Sequence, residues 1–138
     1  MTKEDKNIET IIHQGKILAI IAKTSNIENT LFLSPKEFFL QASIQNRTIG
    51  EGISAHEHPP YNEDEINPQE IIYVINGKIE VGLYSSGKKI ESRQLNQGEL
   101  ILLNSGHDVS YLENSKIILL KTGPYRGKER DKKHIKEV

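Results

Sequence analysis

The sequence predicts an all-β domain, a sandwich or a barrel. Two observations point there: short runs of β-branched and apolar residues recur along the chain, and Gly, Asn, Ser and Pro break them at short intervals. A third agrees, since no long amphipathic helix is evident.

Taken in order, the strand candidates are Glu9 to His13, Lys16 to Lys23, Thr30 to Leu33, Phe38 to Asn46, Gly52 to His58 and Glu70 to Ile75. Lys78 to Tyr84, Lys89 to Gln94, Leu100 to Asn104, Asp108 to Glu113 and Lys116 to Thr122 complete the set. Ser34-Pro-Lys-Glu37 is expected to form one helical turn, because Ser suits an N-cap and Pro the first helical position. Asn76-Gly77 and Ser85-Ser86-Gly87 read as hairpin turns. Along the strand opened by Glu70, Ile72 and Val74 share its face while Ile71, Tyr73 and Ile75 share the other. Both faces are mostly apolar, so this strand is expected to be central. Gln41, Ser43, Gln45 and Arg47 alternate with Leu40, Ala42 and Ile44, a polar face that lines a cavity in a closed barrel and meets solvent in a sandwich.

Length and composition narrow the function. At 138 residues the chain is expected to be one domain, residues 1–138, large enough to bury a core without staples. Its N-terminal strands span 9–33, its core 39–122 and its tail 123–138. No cysteine is present, so disulfides and thiolate ligands are excluded, and histidine and carboxylate remain as the strong metal donors. A formal net charge of −1 argues against nucleic acid as a partner. The basic tail after Arg126 reads as a solvated terminus. The start lacks an apolar leader and the longest strongly apolar run, Ile17 to Ala22, is too short for a bilayer, so no membrane association is expected and a cytoplasmic location is. There is no G-x-S-x-G elbow, P-loop or G-x-G-x-x-G turn to carry acyl transfer, phosphoryl transfer or dinucleotide binding.

The sequence His56-Glu57-His58 carries the chemistry. Alternate residues of a strand share a face, so the two imidazoles project together and can converge on one ion. Gly50 precedes the pair, Glu70 and Gly77 follow it, and a second segment runs from Gly98 through Leu-Ile-Leu-Leu-Asn-Ser to Gly106-His107. A carboxylate opening so apolar a strand would be costly to bury unpaired, which makes a cation a suitable partner for Glu70.

This arrangement resembles the two-part signature of the cupin superfamily, G-x5-H-x-H-x(3,4)-E-x6-G followed by G-x5-P-x-G-x2-H-x3-N. Three departures stand out. Eleven residues separate His58 from Glu70, which reads as an inserted loop; Asn104 holds the proline position; and His107 directly follows Gly106 where the pattern places histidine at Val109. Positions 107 and 109 share a strand face, so a ligand at 107 still points inward. A Gly-His after a short apolar strand, with Lys121-Thr-Gly-Pro-Tyr125 near the end, is similar to cupin-like proteins that accompany polysaccharide or sugar-nucleotide genes.

The resemblance implies a double-stranded β-helix, the cupin jelly-roll barrel, with one divalent transition metal held by His56, His58, Glu70 and His107. Such ligands do not choose among Fe, Mn, Ni, Zn and Cu. It implies a small-molecule ligand, with a sugar derivative as the first candidate and Gln41 and Tyr111 as pocket residues, and a homodimer through the outer sheet or the N-terminal strands. Glu63, Asp64 and Glu65 could replace Glu70 if the inserted loop folds over the barrel mouth, and Lys121, Tyr125 and Arg126 could reach its rim. Whether the protein is an enzyme stays open. The alternatives are a non-catalytic sugar-binding module and a metal-free sugar epimerase with His56 or His58 as base and Tyr73 or Tyr111 as acid. His13 and His134 are expected at the surface.

Overall fold

A computed structural model describes residues 4–57, 68–124 and 133–134. The strands are β1 (Ile8–His13), β2 (Lys16–Ala22), β3 (Leu31–Phe32), β4 (Leu40–Arg47), β5 (Gly52–Glu57) and β6 (Glu70–Asn76). They continue with β7 (Lys78–Ser85), β8 (Lys88–Asn96), β9 (Leu100–Leu103), β10 (Gly106–Tyr111), β11 (Ser115–Thr122) and β12 (Lys133–His134). Helical structure among the described residues is confined to two short 3-10 segments, Glu4–Asn7 and Thr24–Asn26, neither able to cross a membrane.

Apart from the β1–β2 hairpin, the strands form two five-stranded sheets, ordered β3-β4-β11-β6-β9 and β12-β5-β10-β7-β8. Every pairing is antiparallel. Their inner faces meet in a core where Ile72, Val74, Leu103, Ile117 and Leu119 of one sheet pack on Ile79, Val81, Leu95, Val109 and Tyr111 of the other. Alternation in β6 is as expected: Glu70, Ile72 and Val74 are buried, while Ile71, Tyr73 and Ile75 are only partly covered. Between residues of β4, β5, β6, β10 and β11 the sheets part around a cavity of about 450 Å³. The polar face of β4 lines it, through Gln41, Ser43, Gln45 and Arg47.

Two local expectations need correction. Ser34 to Glu37 forms no helix; Phe38 N–H donates to the Pro35 carbonyl at 3.1 Å in an isolated turn, and the Gln41 amide holds this loop by donating to Phe38 O at 2.7 Å and Pro35 O at 3.0 Å. Asn76-Gly77 makes no hairpin, because β6 belongs to one sheet and β7 to the other. It is the corner at which the chain changes sheets. Gly77 has φ +98°, and a Cβ there would sit 2.6 Å from the Asn114 carbonyl, so both conformation and space demand glycine. Ser86-Gly87, by contrast, turns β7 into β8 with both residues at positive φ, the geometry favoured in two-residue hairpins.

Candidate metal centre

His56 lies near the end of β5, His107 near the start of β10, and Glu70 opens β6. The first two face each other directly across the β5–β10 ladder, which brings residues distant in sequence side by side. Their rings meet edge to face with centroids 4.4 Å apart. Glu70 comes from the opposite sheet and closes the group, its Oε2 2.9 Å from His107 Nε2. All three side chains are buried, at 2%, 6% and 1% exposure for His56, Glu70 and His107. One donor atom from each lies within 4.8 Å of the others.

The backbone sets the orientation of both rings. His56 Nδ1 is 2.9 Å from the Ser54 carbonyl, and His107 Nδ1 is 2.9 Å from the Ser105 carbonyl. A carbonyl oxygen only accepts, so each Nδ1 carries the proton and donates it. In the neutral ring the lone pair is then on Nε2. For His107 that lone pair points at a carboxylate oxygen, so two acceptors stand 2.9 Å apart in a buried site. Such a pair needs a proton or a metal cation to share. An ion about 2.1 Å from each donor holds its donors roughly 3 to 4 Å apart, so the cluster fits a metal with small adjustments.

Of the residues expected from sequence, His56, Glu70 and His107 come together, and β10 starts early enough to include His107 in the strand. His58, Glu63, Asp64, Glu65, Tyr125 and Arg126 lie outside the described residues. Tyr111 and Gln41 both line the cavity, the latter with its amide engaged by the 35–38 loop, and Lys121 lines it too. Tyr73 is on the other face of β6, away from the cavity. The backbone of His134, expected at the surface, pairs with that of His56 through β12.

Sequence reading passed over two features. One is the pair of orienting carbonyls, for which the signal was a serine two residues before each histidine, Ser54-Ala-His56 and Ser105-Gly-His107. The other is the bonding of Arg47, a residue expected on the polar face, whose Nε and Nη2 donate to Gln45 Oε1 at 3.0 and 2.8 Å. Gln45 Nε2 in turn donates to Ser43 Oγ at 3.2 Å, so the polar face of β4 forms a connected ladder along the cavity wall. Burial pushes the Tyr111 phenol above its usual range, against the opposing pull of the Arg47 charge. The Arg47 guanidinium lies beside the Tyr111 hydroxyl, where its charge and N–H groups favour the ionised phenol, and no acceptor for the proton of that buried hydroxyl stands among the described residues.

No family model matches the sequence, and no curated protein matches it. Solved structures do. KdgF from a Halomonas species is 24% identical with a TM-score of 0.54, the match covering 72% of this chain and 81% of that one. A cupin superfamily protein from Desulfitobacterium hafniense is 14% identical with a TM-score of 0.56, covering 83% and 96%. Oxalate decarboxylase from Bacillus subtilis is 18% identical with a TM-score of 0.53, covering 70% of this chain and 24% of that one.

Proposed function

Because the fold is that of the cupins, an all-β double-stranded β-helix, we propose that the protein binds one divalent transition metal and acts on a small polar molecule, with a sugar derivative as the first candidate. His56, Glu70 and His107 would hold the ion, with His58 as the fourth ligand contributed from beyond β5. The observation that supports this reading is the buried group of His56, Glu70 and His107, one donor atom from each within 4.8 Å of the others, with both imidazole Nδ1 atoms held by backbone carbonyls so that Nε2 of each ring is left to face the site. Three imidazoles and a carboxylate leave coordination positions for water or substrate, as in catalytic rather than closed structural sites. When bound, such an ion supplies Lewis-acid activation of a carbonyl or hydroxyl oxygen.

The chain's own residues do the rest. The two backbone carbonyls fix ring orientation before any ligand arrives, which reduces the ordering cost of binding. Ile53, Ile72, Val109 and Leu119 line the cavity with hydrocarbon and keep water from filling its walls, so polar contacts made there are stronger than in bulk water. Elemental analysis of purified protein is expected to find close to one equivalent of a transition metal, with the double substitution His56→Ala and His107→Ala reducing it below about a tenth. Less than about a tenth in the unaltered protein after incubation with each candidate metal would remove the reading.

The second reading rests on Tyr111 lining the same cavity as His56 and His107, which keeps the candidate base and acid of a metal-free mechanism open to one ligand. Exhaustive chelation separates the two: turnover of a sugar derivative that survives it selects the metal-free chemistry. A ligand that binds and is recovered unchanged from metal-loaded protein selects a binding module instead.

A further inference from the structure

We infer that the end of the cavity remote from the three ligands is an anion subsite, formed by Arg47 and Tyr111, so that the substrate carries a carboxylate or similar anionic group away from its reacting end. Three observations lead there. The described cavity wall holds the cationic side chains of Lys36, Arg47 and Lys121 and a single carboxylate, Glu70, in a protein whose formal net charge is −1. An enclosed, partly apolar wall raises the worth of each charge over its worth at an open surface.

Arg47 is also held in place before any ligand enters. Gln45, 5% exposed, accepts two of its N–H bonds, and Ser43, 2% exposed, orients Gln45. A long side chain fixed by a buried amide loses less freedom on binding than one in solvent. Glu51 approaches Nη1 at 3.6 Å, and being about half exposed it offsets the Arg47 charge only weakly. The guanidinium has five N–H donors, and Gln45 takes two of them.

The third observation is the Tyr111 hydroxyl. It is buried beside Arg47, which can only donate to it, and its own proton has no acceptor among the described residues; a buried hydroxyl proton left unpaired costs free energy. An anion seated between the guanidinium and the phenol would accept a hydrogen bond from each, completing both. Tyr111 lies four residues after His107 on the same face of β10, about 13 Å along the strand. The anionic group and the reacting group would then sit at opposite ends of one small molecule, with Ile53, Val109 and Leu119 against its body. That last step builds on the metal reading, whereas the anion subsite itself does not.

Benzoate and its neutral isostere benzamide test the subsite directly. Both are titrated into metal-free protein by ligand-detected NMR up to about 50 mM, above the millimolar range natural to fragments. Benzoate is expected to bind at least about fivefold more tightly than benzamide, and Arg47→Met to abolish that difference. Tyr111→Phe, which keeps the ring and its packing, is expected to weaken benzoate by about threefold to tenfold while leaving benzamide unchanged. Equal binding of the two probes to unaltered protein, no benzoate binding at all, or full benzoate preference in a folded Arg47→Met protein would each overturn the inference. Since no metal is present in this titration, its outcome is independent of whether metal analysis succeeds.

Discussion

At the scale of the residue, the unusual feature is a histidine nitrogen and a carboxylate oxygen 2.9 Å apart and almost wholly buried, a contact that a shared proton or a cation must bridge. Glu70→Gln keeps the shape of the side chain and replaces the carboxylate with a neutral amide. It removes the anionic ligand of the proposed metal site. Metal affinity is expected to fall by well over about tenfold, since even orienting partners of ligands cost that much. In the metal-free protein the carboxylate and His107 share a proton, so the metal-free variant is expected to unfold lower than metal-free unaltered protein. Metal content and paired melting curves check both halves, and a variant that keeps its metal would break the argument. Tyr111 makes a second prediction. Its phenol is raised in the folded state, so as pH climbs past the unfolded value of about 10 the unfolded chain loses this proton first. Stability contributed by the neutral phenol is complete below that pH and declines above it. Tyr111→Phe should match or exceed the unaltered protein in neutral solution, and the difference should widen in its favour as pH rises from about 9 to 11. Chemical denaturation at several pH values measures that difference. Much of this site was legible in the sequence because strand alternation fixes which residues share a face. The bonds from Arg47 to Gln45 were not, since alternation alone does not say whether a polar face meets water or a cavity.

At the scale of the element, turns were legible in their location and less so in their destination. Asn76-Gly77 and Ser86-Gly87 offer similar local signals, yet one changes sheets and the other closes a hairpin. Local chemistry sets the backbone angles of a turn, whereas the choice of sheet depends on which distant strands are available: β11 for β6, and β10 for β7. The corner is also tightly packed against the start of β11. Gly77→Ala must adopt a positive φ and place a methyl group against Asn114 and Ser115, and a loss of about 3 kcal/mol is expected, close to 10 °C in the melting temperature. Gly87→Ala supplies the control: it shares the positive φ but meets nothing within 4 Å, so its cost should be smaller, about 1 kcal/mol. Equal losses in thermal melts would show that conformation, and not the crowded corner, governs both. Strand β10 began two residues earlier than expected for a related reason. Gly106-His107 reads locally as a turn, but Tyr84 and Leu83 of β7 pair with it across the sheet. Asp108, next along β10, strengthens that pairing by accepting from Gly82 N–H at 2.9 Å and from the Tyr84 hydroxyl at 2.6 Å. The ladder that fixes His107 is thus tied down from its outer face.

At the scale of the molecule, the β1–β2 hairpin stands apart. It packs chiefly on itself and the adjoining 3-10 segment, and it exposes Ile11, Ile12, Leu18 and Ile21 at 39% to 60%. A two-stranded ribbon is marginal alone in water, so its apolar side chains need a surface to lie against. The chain offers one. On the outer face of the β3-β4-β11-β6-β9 sheet, Leu102 pairs beside Ile71 and Leu120, and Leu100 beside Tyr73 and Ile118, while both leucines of β9 are 59% exposed. For the homodimer expected from sequence we propose that the hairpin of one copy lies against the outer sheet of its partner, with the reciprocal contact given by a two-fold axis. Sedimentation at micromolar concentration is expected to show a species of twice 15.7 kDa. Ile12→Asp combined with Leu18→Asp charges the hairpin without touching the cavity, and should yield a folded monomer that still binds metal. If the doubly substituted protein stays dimeric, the hairpin is not the contact; if the unaltered chain sediments only as a monomer, the two apolar surfaces are not each other's partners.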